Sequence, residues 1–139
     1  MPLQYGAMSE ACADGKHDEV KKMLADDEVN NADPNALAEM QAAAPGTGLG
    51  SSPLHHASCH GHLDIVKTLL KAKANPNSRN LTNRGTPLHR AARGGHHAIC
   101  VLLLKAGAVK ALTTSYGTTA IDMAREFEHY SVVELLAPK

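Results

Sequence analysis

Large aromatic side chains are almost missing from this 139-residue chain: it has no Trp, one Phe and three Tyr. Folded cores commonly draw much of their buried area from such rings. Leu, Val, Ile and Ala must do that work here, which suits thin stacked layers of short helices. Cysteine is sparse as well. Cys12, Cys59 and Cys100 are odd in number and no CxxC occurs, which points to a reduced, intracellular compartment rather than a disulfide framework. No run approaches the roughly 18 apolar residues of a membrane span. Met1-Pro2-Leu3-Gln4-Tyr5 has neither a basic n-region nor an apolar h-region, so no secretory signal is expected there. Net charge is also missing, because fourteen basic residues cancel fourteen acidic ones. A nucleic-acid partner would call for a basic stripe, and none is expected.

What is present is a marked short helix. Thr86-Pro87-Leu88-His89-Arg90-Ala91-Ala92-Arg93-Gly94-Gly95-His96 carries both of its ends. Thr86 can cap the first turn with its hydroxyl. Pro87 stands at the first helical position, where no N–H is needed. Gly95 can take the left-handed conformation that stops a helix. Leu88, Ala91 and Ala92 share one apolar face, and the two alanines let a neighbouring helix approach closely. The pattern returns at Ser52-Pro53-Leu54-His55-His56-Ala57 and at Thr119-Ala120-Ile121-Asp122-Met123-Ala124. The spacing from Ser52 to Thr86 is 34 residues and from Thr86 to Thr119 is 33, so the chain is a repeat array.

The T-P-L-H-x-A box at this period resembles the ankyrin repeat. The resemblance implies an all-α solenoid of four repeats, each a helix–turn–helix plus a hairpin loop, in one domain over 1–139. The repeats are expected at about 5–49, 50–84, 85–116 and 117–139. The first is degenerate: Ala11 through Gly15 matches Ala57 through Gly61, but Gly6-Ala7-Met8-Ser9 stands where the box belongs. It reads as a capping repeat with one face toward water. An insertion fills 25–49, including Ala36 to Ala44, a stretch of high helix propensity closed by Pro45-Gly46. Second helices are expected to bury Ile65, Val66, Leu69 and Leu70, then Ile99, Cys100, Leu103 and Leu104, then Val132, Val133 and Leu136. Lys73 holds the helix-stop slot that Gly107 fills one repeat later. The chain ends one residue after Pro138, and is expected to be either a whole small ankyrin protein or a trimmed fragment.

Nine histidines invite a metal or catalytic reading, but five have framework slots. In the family, the box histidines, here His55 and His89, hydrogen-bond backbone near the neighbouring hairpin. His62, His96 and His129 follow the helix-ending position. His56, Cys59 and His60 stand at i, i+3 and i+4, so they share a helix face. Three N/S donors could hold Zn²⁺ with one open position, which makes a His/Cys metal- or redox-sensing site the alternative function. Against it, no carboxylate orienter is evident, and Arg90 and Arg93 on the adjacent helix would repel a cation. No GxSxG, HExxH or phosphate-binding loop occurs, so no enzyme activity, no cofactor and no metal are expected.

The cluster Arg79, Arg84, Arg90 and Arg93 is the strongest partner signal, because Arg and aromatic residues are enriched at interface hot spots. Resemblance places Arg84 at a hairpin and Arg90 and Arg93 on the inner helix face, with Tyr116 and Phe127 in comparable places one repeat on. The expected function is non-catalytic protein–protein interaction, as adaptor, inhibitor or regulatory subunit. The surface would be the concave one, through His56, Cys59, His60, Arg84, Arg90, Arg93, Tyr116 and Phe127. The expected partner is a protein, with no nucleic acid or membrane involved. The chain is expected to be a monomer in the cytoplasm, or in the nucleus.

Overall fold

The structure is a computed structural model that describes Cys12 and residues 14–18, 52–80 and 83–138. The expected 25–49 insertion lies outside the described residues. So does most of the first repeat and the middle of the Asn80–Arg84 hairpin. Six helices run in order: α1 Pro53–His60, α2 Leu63–Lys71, α3 Pro87–Gly94, α4 His97–Lys105, α5 Ala120–Glu126 and α6 Tyr130–Leu136. They form three helix–turn–helix pairs and no strand among the described residues. Helical residues at Cys12 and Asp14, a turn at Gly15 and helical residues at His17 and Asp18 begin the same motif upstream.

The local signals place each first helix. Ser52, Thr86 and Thr119 each accept an N–H from the third helical residue, and Pro53 and Pro87 open their helices. Gly61 and Gly95 end α1 and α3 in the left-handed region, at φ 77° and 73°. The amide of the next residue then returns to an orphan carbonyl, His62 to Ala57 and His96 to Ala91, each at 3.0 Å. Every described left-handed residue between Gly61 and Glu128 falls in one of three slots that recur with the repeat. Gly61, Gly95 and Glu128 occupy the first-helix stop, Lys73 and Gly107 the second-helix stop, and Arg84 and Gly117 the hairpin turn.

The helices pack in two rows. In the first row α3 lies between α1 and α5; in the second, α4 lies between α2 and α6. One seam of small and branched side chains runs through the stack: Leu54, Ala57, Ile65, Val66, Leu69, Leu88, Ala91, Ala92, Ile99, Cys100, Leu103, Ala120, Ala124, Val132 and Leu136 are all buried. Burying one such Leu, Ile or Val contributes about 1.5–3 kcal/mol. Leu70, Leu104 and Val133 are less buried than the apolar pattern predicts and sit at the edge of this seam. A second helix only two turns long has a narrow core-facing stripe, and these positions fall at its margin.

Candidate functional site

The site is built on the first row, and the box histidines hold that row in place. The N–H of Ser52 donates to His55 Nδ1 (3.1 Å), the Ser52 hydroxyl donates to the same nitrogen (2.8 Å), and His55 Nε2–H donates to the carbonyl of Gly85 (2.8 Å). His89 repeats the arrangement, with Thr86 at Nδ1 and the carbonyl of Thr118 at Nε2 (2.9 Å). Each imidazole thus ties its own cap to the next hairpin while remaining neutral. Burial pushes the His55 pKa down to about 3, against the Gly85 bond, and pushes His89 down as well. In the last pair Asp122 takes the histidine's place and accepts from Thr119 N–H at 3.1 Å. The carboxylate gains two bonds from Thr119, and its pKa falls.

A second histidine ladder links consecutive first helices. His96 Nε2–H donates to the carbonyl of Cys59 (3.1 Å), and His129 Nε2–H to that of Arg93 (2.9 Å). Both acceptors belong to the last turn of a first-row helix, where carbonyls lack intrahelical partners. The rings lie against the helix-stop glycines. A Cβ on Gly61 would come within 2.7 Å of His96, and one on Gly95 within 2.5 Å of His129. Glycine therefore serves these slots twice, for its backbone conformation and for its missing side chain.

The hairpins are clamped by polar side chains. Asn77 donates to the carbonyl of Gly107 (3.0 Å) and accepts from the amide of Val109 (2.8 Å), across one repeat. Arg79 donates to the carbonyls of Arg84 (3.2 Å) and Thr113. This corrects the reading of Arg79 as part of a partner-facing basic cluster, because its guanidinium is occupied by backbone acceptors. No sequence signal distinguishes Arg79 from its neighbours, since the carbonyl of Thr113 lies 34 residues away.

The remaining candidate residues divide into two groups. On the helices, His56 and Cys59 are half-buried and His60 is exposed on α1, while Arg90 is half-buried and Arg93 exposed on α3. The Arg93 guanidinium lies over the Phe127 ring, 5.2 Å from its centroid, and Phe127 is 43 % exposed at the end of α5. Burial, then the charge of Arg90, then His60 push the His56 pKa down to about 4. In the turns, Arg84 is exposed, and Tyr116 is 87 % exposed in the next hairpin. The two turns are neighbours, since the amide of Ser115 donates to the carbonyl of Asn83 at 2.8 Å.

His56, Cys59 and His60 do not assemble into a ligand set. Among the described residues no three His, Cys, Asp or Glu side chains are grouped to hold a metal ion. The i, i+3, i+4 spacing does put them on one helix, but the His60 ring stacks with His62 at 6.1 Å between centroids. His56 Nε2 is buried without a hydrogen-bond partner.

These features define a class of protein. Residues 54–104, which run from α1 into α4, match the family model of ankyrin repeats. Over those residues the chain carries ankyrin repeats, and its paired helices stack as the solenoid of that family. No curated protein matches the chain. Ankyrin repeats as a class are modules of protein–protein interaction and are typically non-catalytic.

Proposed function

We propose that this protein is a non-catalytic binding module that holds a protein partner on its concave first-row and hairpin surface, as an adaptor, inhibitor or regulatory subunit. The observation that carries the reading is the pairing of Arg93 with Phe127, a cation stacked on a half-exposed ring at the surface of an otherwise aromatic-poor protein. Arg and aromatic side chains supply most interface hot spots, and a rigid support lowers the entropy lost on binding. The proposed surface also takes in His56, Cys59, His60 and Arg90 on the first-row helices and Arg84 and Tyr116 in the turns. We place the protein in the cytoplasm or nucleus as a monomer; its three free thiols, Cys12, Cys59 and Cys100, suit a reducing compartment.

The test is affinity purification with mass spectrometry, comparing the natural protein with the triple variant Arg84→Glu, Arg90→Glu, Arg93→Glu. A partner retained by the first and lost by the second is the expected result. Full retention by the variant refutes this surface.

A further inference from the structure

The zero net charge conceals a strong segregation. From Ser52 to Ile121 nine lysine and arginine residues accompany a single acid, Asp64; the other five basic residues share the rest of the chain with thirteen acids. Asp64 lies in the first turn of α2, in the second row. The first-row helices α1 and α3 therefore carry no carboxylate, while α3 and its adjoining turn carry Arg90, Arg93 and Arg84. Exposed acids return on either side, at Asp14 and Asp18 and again at Asp122, Glu126 and Glu128.

We infer that Arg84, Arg90 and Arg93 form a docking site for a short acidic segment of a protein partner; this rests on the protein-binding reading above. The case is one of charge complementarity. A guanidinium pairs a carboxylate through two parallel N–H donors. Stacking Arg93 on Phe127 covers one face of the cation and leaves its in-plane donors available. The size of the basic region selects a peptide over a nucleic acid. Packed helices are about 8–10 Å apart, so the carboxylate-free face of α1 and α3, with its arginines on α3, is about 20 Å across, the reach of about six extended residues. A duplex carries a charge about every 1.7 Å along its whole length and would run onto the acidic ends. Those ends also fix where an acidic peptide can lie, because like charges repel it on both sides.

The probe is a fluorescein-labelled deca-glutamate peptide, with deca-glutamine and a 20-base-pair duplex as comparisons, read by fluorescence polarisation at two salt concentrations. Deca-glutamate should bind at least about tenfold tighter than deca-glutamine and weaken as salt rises. The double variant Arg90→Glu, Arg93→Glu should abolish the preference. Arg84→Gly is the decisive single change. Arg84 has φ 62°, so glycine there should raise the melting temperature while weakening deca-glutamate binding about threefold or more, a loss that misfolding cannot produce. Lys67→Glu with Lys71→Glu, on the second row, should leave binding within about twofold. Equal binding of the two peptides, equal loss in the second-row variant, or tighter binding of the duplex would each overturn the proposal. A captured partner that is lost on Tyr116→Ala with Phe127→Ala but is indifferent to competing deca-glutamate overturns the acidic segment alone. A partner indifferent to every first-row and turn variant overturns the protein-docking surface as well.

Discussion

The guanidinium of Arg93 stands over the ring of Phe127, one repeat further along, at 5.2 Å from the centroid. The main chain of Arg93 is tied to the same repeat, since its carbonyl accepts from His129 at 2.9 Å. Phe127→Ala should lower unfolding free energy by about 1 kcal/mol, because the ring is only partly covered and its gain combines modest burial with the cation contact. A double-mutant cycle with Arg93→Ala, read by urea titration, should return about 0.5–1 kcal/mol of coupling. A coupling indistinguishable from zero would mean the stack is not maintained in solution.

Gly61 and Gly117 share the same φ, 77°, but not the same surroundings. A side chain on Gly61 meets the His96 ring at 2.7 Å, whereas nothing lies within 4 Å of one on Gly117. Both Gly→Ala changes carry the left-handed penalty of about 1 kcal/mol. Only Gly61→Ala should also displace His96 from the carbonyl of Cys59, adding about 1–2 kcal/mol. Thermal unfolding of the two variants side by side measures the difference, and equal losses would show that the ring yields freely.

Lys73 and Glu128 fill slots in which other repeats use glycine, at φ 71° and 60°. Lys73→Gly and Glu128→Gly should each be neutral to stabilising, by up to about 1 kcal/mol, and their effects should add because the sites are far apart in sequence and belong to different repeats. A fall in melting temperature for either would mean that its side chain contributes more than its backbone costs.

Acid should destabilise this protein from near neutrality downward. Burial pushes His55 to about 3 and His56 to about 4, from an ordinary value of 6.5. Between those limits the unfolded chain binds protons that the folded chain refuses, so stability rises with pH across the window and is complete above about 6.5. Each such proton changes stability by up to about 1.4 kcal/mol per pH unit. The melting temperature should therefore fall between pH 7.5 and pH 5. His56→Leu should flatten that fall without cost at pH 7.5, because His56 Nε2 has no partner to lose. His55→Leu should instead cost about 2 kcal/mol or more at pH 7.5, since it strips the Ser52 cap and the Gly85 carbonyl of their bonds. A melting temperature flat from pH 7.5 to 5 would contradict the burial argument.

Within the described residues, the amino-acid order alone determined the first-row helices, their caps and their stops. Those signals are local: a hydroxyl three residues from the amide it caps, a proline at the first position, a glycine at the end. The 33–34-residue recurrence likewise determined that the helices stack, since none can bury its apolar stripe alone. Tertiary structure decided which polar side chains belong to the framework and which face solvent. Arg79 and Arg84 look alike in the sequence, but one reaches a carbonyl 34 residues away and the other stands exposed in a left-handed turn. His56, Cys59 and His60 share a helix face by spacing, yet a metal site needs convergence from more than one direction, and spacing along one helix cannot supply it. The basic middle was written in the order of residues but hidden by a neutral total; the packing of α1 beside α3, with Asp64 on the second row, turned that count into two neighbouring helices free of carboxylates.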